Sequence, residues 1–187
     1  MSAAEKIFTN LHQDLIEQCR AGDQRAQFKV YKLYYKAMYN TSLRIVNHTH
    51  EAEDIMQESF LSAFEKLDTY KGEVSFGAWL KKIVINRSLD HLRKINPGLQ
   101  DMEGIGEVID ETGTFTEENN YDIGKIKSAM EKLSTGYRTI LSLYLFEGYD
   151  HDEISQIMGI SPSTSRSQYS RARLRLIQIL KKEKGND

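Results

Sequence analysis

The sequence predicts an all-α protein: two small helical domains joined by a flexible acidic linker. Three observations predict it. Proline is nearly absent, 2 residues in 187, and Ala, Leu, Lys, Glu, Ile and Gln fill the long segments. These are residues that lose little freedom in a helix, and almost nothing interrupts them. Apolar residues recur at spacings of three and four along those segments. Charge is segregated: residues 1–70 carry a net −2, residues 71–98 +4, residues 99–122 −8 and residues 123–187 +4. Basic lobes around an acidic stretch say more than the overall −2, and they divide the chain into 1–98, 99–122 and 123–187.

The first helix is expected from Thr9 or Asn10 to Ala21, with Leu11, Leu15 and Cys19 at spacing four. Gly22 stops it and Asp23 caps the next. The second, Gln24 to Val46, carries Phe28, Tyr31, Tyr34, Tyr35 and Tyr39 ahead of Leu43 and Val46. That spacing reads as a core stripe; an aromatic nucleic-acid platform is the rival that the period disfavours. The third runs from Glu51 to Leu67 and buries Ala52, Met56, Phe60, Ala63 and Leu67. Asp54, Gln57, Glu58 and Leu61, at i, i+3, i+4 and i+7, share a different face. Two acids, an amide and an exposed leucine are either a solvated flank or a docking surface for a basic partner helix.

Asp68 to Ser75 reads as a polar loop. A fourth helix from Phe76 to Ile95 turns Phe76, Trp79, Leu80, Ile83 and Val84 inward and leaves Lys82, Asn86 and Arg93 on one side. Arg87 is spaced to pair with Asp90. Asn96-Pro97-Gly98 ends it. Leu99 to Asp122 holds eight acids and no base and lacks a helical period, as expected of a flexible linker. Its acids lack the spacing of a calcium loop.

Helix five, Ile123 to Leu133, places Ile123, Ile126, Met130 and Leu133 on one face. Ser134 caps helix six, which is expected to reach Glu147 with Ile140, Leu141, Tyr144 and Leu145 inside. Asp150, with Glu153 three residues on, forms a capping box for the next helix. Ile154, Ile157 and Met158 are its apolar face, and Gly159 its left-handed stop. Ser161 caps a last helix that opens on Pro162, where a missing N–H costs nothing. From there to Glu183 run Arg166, Arg171, Arg173, Arg175, Lys181 and Lys182 without an acid. Two helices around a glycine turn, the second basic, describe a helix-turn-helix that enters a major groove.

Several function classes drop out. No apolar run approaches the ~18 residues of a membrane span, and MSAAEKIFTN lacks the features of a signal peptide. A cytoplasmic protein is expected. The single cysteine, Cys19, permits no intramolecular disulfide or Cys-rich zinc site. His48, His50 and Glu51 lack further ligands, so no metal is assigned. No phosphate loop, dinucleotide fingerprint or HExxH occurs, and nothing assembles a triad. A binding protein without cofactor or small-molecule substrate is expected, not an enzyme.

Two separated stretches carry a family resemblance. Ala52-Glu53-Asp54-Ile55-Met56-Gln57-Glu58-Ser59-Phe60-Leu61, followed by Phe76, Trp79-Leu80, Ile83, Asn86, Asp90 and Arg93, resembles region 2 of bacterial sigma factors. Phe146-Glu147-Gly148-Tyr149, then Glu153-Ile154 through Gly159-Ile160-Ser161 to Arg171-Ala172-Arg173, resembles region 4. Their order, the short length and the absence of the family's other regions resemble the extracytoplasmic-function group.

The resemblance implies roles. The face of Asp54, Gln57, Glu58 and Leu61 would dock on the β′ clamp helices of core RNA polymerase, with the β flap as a second polymerase contact. The loop Leu67–Phe76 and the helix after it would open and read the −10 element of promoter DNA, using Tyr70, Lys71, Lys81, Lys82, Asn86, Arg87 and Arg93. The last helix would read the −35 element through Ser163, Thr164, Arg166, Ser167, Gln168, Arg171 and Arg173. An anti-sigma factor is a further partner the resemblance admits.

The residues add physical sense. The 24-residue linker reaches at most ~80 Å, and sites two duplex turns apart lie ~70 Å apart. One departure stands out. Where the family has T-V-K-S-R-L, this chain has Thr164-Ser165-Arg166-Ser167-Gln168-Tyr169. Ser165 is expected to bond back to a helix carbonyl, and Gln168 to offer its amide to adenine. The alternative is a helix-turn-helix regulator that acts without polymerase; an enzyme with an appended DNA reader ranks third.

Overall fold

The computed structural model describes residues 12–96 and 123–184, and these are helical apart from turns and short loops. The linker expected over 99–122 and the expected start of the first helix lie outside the described residues. The chain divides into two compact units, Met1–Leu92 and Arg93–Asp187.

The first unit holds α1 (Gln13–Arg20), α2 (Gln24–Val46), α3 (Thr49–Glu65), a 3-10 turn (Leu67–Thr69) and α4 (Phe76–Ile95). Asp23 caps α2 by accepting the N–H groups of Arg25 and Ala26 at 2.8 and 3.3 Å. α3 starts two residues earlier than the sequence suggested, because the His48 ring accepts the Glu51 N–H and takes the cap position. Ile16 and Cys19 of α1, Val30 and Met38 of α2, Met56, Phe60 and Ala63 of α3, Leu67, and Phe76, Leu80 and Val84 of α4 form one core. Tyr31, Tyr34, Tyr35 and Tyr39 pack against it, as their spacing predicts. Phe28 does not: it is 60% exposed. It lies one helical step outside the buried arc of α2, which the aromatic pattern alone concealed.

The second unit holds α5 (Ile123–Glu131), α6 (Thr135–Leu141), α7 (His151–Met158) and α8 (Pro162–Lys184). Its core is Ala129, Met130, Leu133, Ile140, Leu141, Leu143, Ile154, Met158, Ala172, Leu176 and Leu180. Ile123, which shares the helical spacing of Met130 and Leu133, is exposed while those two are buried. Helix six is not α-helical to Glu147. A π-helical turn, Ser142–Phe146, replaces its end, with the Glu147 N–H bonded to the Ser142 carbonyl. The wider turn rotates the face. Leu143 is buried, while Tyr144 and Leu145, expected inside, face outward with Phe146.

The helix-turn-helix caps agree with the sequence. Asp150 accepts the N–H groups of Asp152 and Glu153, and the Glu153 carboxylate accepts the Asp150 N–H at 2.9 Å. Gly159 takes the left-handed conformation, φ 71°, where a Cβ would be strained. Ser161 Oγ accepts the Thr164 N–H at 3.0 Å, and Pro162 opens α8. Buried Arg138 donates to the Leu133 carbonyl at 2.9 Å. Burial pushes its guanidinium down from the usual value, and Glu131 opposes that.

Candidate docking and DNA-binding surfaces

The residues of α3 that share the outer face are all exposed: Asp54, Gln57, Glu58 and Leu61, the last at 65%. The opposite side of the helix, Ala52, Ile55, Met56, Ser59, Phe60, Ser62 and Ala63, is buried. A helix anchored so fully presents its outer side chains on a rigid frame. An exposed leucine among acids has the charge and apolar area that would complement a basic helix with one apolar anchor.

Across from that face stands α4. Lys82 and Asn86 are exposed one turn apart, Lys81 and Arg93 are half-buried, and Phe76, Leu80, Val84 and Leu89 hold the helix to the core. Arg87 pairs with Glu58, Nη1 to Oε2 at 2.9 Å, and not with Asp90 as spacing suggested. A residue of the expected docking face and a residue of the expected DNA face thus hold each other.

The loop between α3 and α4 is shaped by aromatic packing. Tyr70 is 3% exposed, with ring centroids 5.6 Å from Phe76 and 5.3 Å from Trp79. Its hydroxyl donates to the Val74 carbonyl at 2.7 Å. Tyr70 therefore closes the loop from inside and does not offer its ring outward; Lys71 is exposed beside it. Ser75 Oγ accepts the Ala78 N–H at 3.2 Å and starts α4. Sequence reasoning missed Arg20. Its guanidinium donates to the carbonyls of Leu67 and Tyr70 and lies 6.0 Å from the Tyr70 ring centroid. One side chain from α1 thus ties down the start of the loop, Leu67 to Tyr70. The signal in the sequence was weak: an arginine at the C-terminus of a helix, where dipole and capping roles are commoner.

In α8, Ser165, Gln168, Ala172, Leu176 and Leu180 form the buried stripe at spacings of three and four. Gln168 is 4% exposed and faces the unit's own interior, so it does not present its amide to a base as expected. Its Oε1 has no hydrogen-bond partner. Ser165 bonds sideways to His151 Nδ1 at 2.9 Å and not back to a carbonyl. His151 in turn stacks on Tyr144 at 4.9 Å. The outward residues are Ser163, Arg166, Ser167 and Arg173, with Thr164 and Arg171 half-buried at the margins. They form a polar, basic ridge at the N-terminal half of the second helix of the pair, the part that meets base edges in such motifs.

Known proteins match the chain across both units. The family model described as sigma-70 region 2 matches residues 30–96, and that described as sigma-70, region 4 matches residues 123–176. The chain is similar to the RNA polymerase sigma-H factor of Pseudomonas aeruginosa, 30% identical over 176 residues, covering 86% of this chain and 89% of that protein. It is 27% identical over 170 residues to the ECF RNA polymerase sigma factor SigW of Bacillus subtilis, covering 84% and 90%. Among solved structures, it is similar to the sigma factor RpoE of Bartonella quintana in complex with the anti-sigma factor NepR. That likeness has TM-score 0.56 and 26% identity over 82% of this chain and 95% of that one. CnrH in complex with the cytosolic domain of CnrY shares the fold, with TM-score 0.55 and 23% identity over 90% and 96%.

Proposed function

The chain belongs to the sigma-70 family, in its extracytoplasmic-function group, and from that premise we propose how its surfaces divide the work. It binds core RNA polymerase and directs it to promoters for initiation. Matches to both regions in one chain favour this over a regulator acting without polymerase. We assign it no catalytic step and place its work in the cytoplasm, where its polymerase partner acts.

Residues 1–98 serve core binding and the −10 element, 99–122 link, and 123–187 serve the −35 element. Asp54, Gln57, Glu58 and Leu61 dock on the β′ clamp helices. Lys71, Lys81, Lys82, Asn86, Arg87 and Arg93 contact the −10 strand, with Tyr70 and Arg20 shaping the loop that holds a flipped base. Flipping costs a few kcal/mol, which pocket contacts offset. Ser163, Thr164, Arg166, Ser167, Arg171 and Arg173 read the −35 duplex, and the second unit meets the β flap. An anti-sigma factor that covers these surfaces completes the proposed partners.

The observation that carries the docking assignment is the exposed α3 face of two acids, an amide and a leucine on a helix whose opposite side is buried. The test is co-purification. Asp54→Ala with Gln57→Ala should abolish association with core polymerase and run-off transcription, while helicity is retained. Association that survives the double change removes this face from the docking site.

A further inference from the structure

α2 carries a feature that none of these roles uses. Arg25, Lys29, Lys32 and Lys36 are all exposed and fall at i, i+4, i+7 and i+11. On a helix these positions lie within about 60° of one another and run roughly 16 Å along the axis. The buried residues Ala26, Val30, Met38, Thr41 and Ile45 occupy the other side, so the stripe faces away from the core of its unit. From Gln24 to Val46 the helix has no acid. None of the four cations is ion-paired among the described residues. Like charges at i, i+4 repel and destabilise a helix. The first helix, in contrast, ties its Arg20 to Glu17.

Phe28 stands at the edge of this stripe, 60% exposed, with Lys32 Nζ 5.4 Å from its ring centroid. Leu33 is exposed on the other flank. Uncompensated cations in a line, with an open aromatic ring among them, suit a polyanion whose phosphates track the line and whose bases offer a π-face. In a duplex the base faces are stacked on each other and closed to Phe28. In a single strand they are open. From Lys29 to Lys36 the helix rises roughly 10 Å, about two internucleotide steps of some 5–6 Å in an extended strand, so the three lysines can meet three successive phosphates.

We propose that the outer face of α2 is a sequence-independent binding track for single-stranded DNA, with Lys29, Lys32 and Lys36 on successive phosphates and one base stacked on Phe28. It is separate from the α4 surface assigned to the −10 element, and it gives the strand displaced on promoter opening a second hold on the protein. An acidic protein surface is the competing occupant.

The experiment uses the full chain and a fluorescent 15-nucleotide oligo(dT), titrated across a range of salt concentrations. The triple change Lys29→Ala, Lys32→Ala, Lys36→Ala should lower affinity. It should also flatten the plot of log affinity against log salt by about 2, at ~0.7 for each single-strand phosphate that the protein ceases to neutralise. Replacing the same three with Arg should restore the slope. Phe28→Ala should weaken binding roughly fivefold or more and leave the slope unchanged. An unchanged slope and affinity in the triple variant overturns the proposal, as does an unaltered chain that does not bind oligo(dT) at low salt. Association with core polymerase is measured on the same preparations. Its loss with DNA binding intact would make the stripe a protein contact and overturn the DNA assignment. The triple variant should keep core association, whereas Asp54→Ala with Gln57→Ala loses it, so failure of either reading is visible separately.

Discussion

Gln168 shows how a side chain type can mislead at the scale of one residue. An amide on a basic helix suggests adenine, but the neighbours at spacings of three and four, Ser165, Ala172 and Leu176, are all buried and carry Gln168 inward with them. The same periodicity that identified the apolar faces elsewhere was present here. It was masked because the stripe opens on a serine and a glutamine, polar residues that carry no apolar signal. With its Oε1 unpartnered, the buried amide carries part of a desolvation cost. Gln168→Leu is therefore expected to raise the stability of the second unit by about 1 kcal/mol in denaturant unfolding and to leave affinity for −35 duplex unchanged. Arg171→Ala should do the reverse, weakening duplex binding by about 1–3 kcal/mol if it meets a base edge, with little effect on unfolding. Glu58 makes a different point. Its ion pair with Arg87 is on the surface and worth at most about 1 kcal/mol to folding. Its interest is that the face proposed for polymerase docking and the face proposed for DNA contact each contribute one member of the pair.

At the scale of the element, stop and start signals were the most legible part of the chain. Asp23, the Asp150–Glu153 box, Gly159 and Ser161–Pro162 act where the sequence places them, because each satisfies a local hydrogen bond or dihedral that needs no tertiary information. Asp150→Ala should cost about 1 kcal/mol of stability, and Gly159→Ala about 1–2 kcal/mol, since its left-handed backbone would then carry a Cβ. Thermal unfolding followed by far-ultraviolet circular dichroism measures both. The π-helical turn of Ser142–Phe146 was not legible. It arises from one extra residue in a turn, leaves no composition signal, and displaces every later residue from the face that a 3.6 period assigns. The Tyr70 loop was half legible. Its polarity and glycine marked a loop, but its fixed shape depends on Arg20, fifty residues earlier, and on Phe76 and Trp79. Contacts so distant in sequence have no local signature.

For the whole molecule, the two-unit plan and its helical class were visible in charge segregation and periodicity, and each unit has a core of its own. Ile154 is fully buried in the second unit, and its change to Ala should destabilise that unit by about 2–5 kcal/mol. The transition seen by circular dichroism should then broaden or split. Fluorescence of Trp79, the single tryptophan, should not move, because it reports the first unit. The other single residue of the chain has a practical counterpart. Cys19 is buried in the first unit, where burial, then the neighbouring Asp23 carboxylate, pushes its thiol above the usual value. Thiol reagents attack the thiolate and need access, so the native protein withholds its only natural labelling site. A cysteine introduced on the surface of the second unit would take a fluorophore selectively without removing the native one. The rate at which Cys19 itself becomes reactive would then clock the opening of α1 from α2.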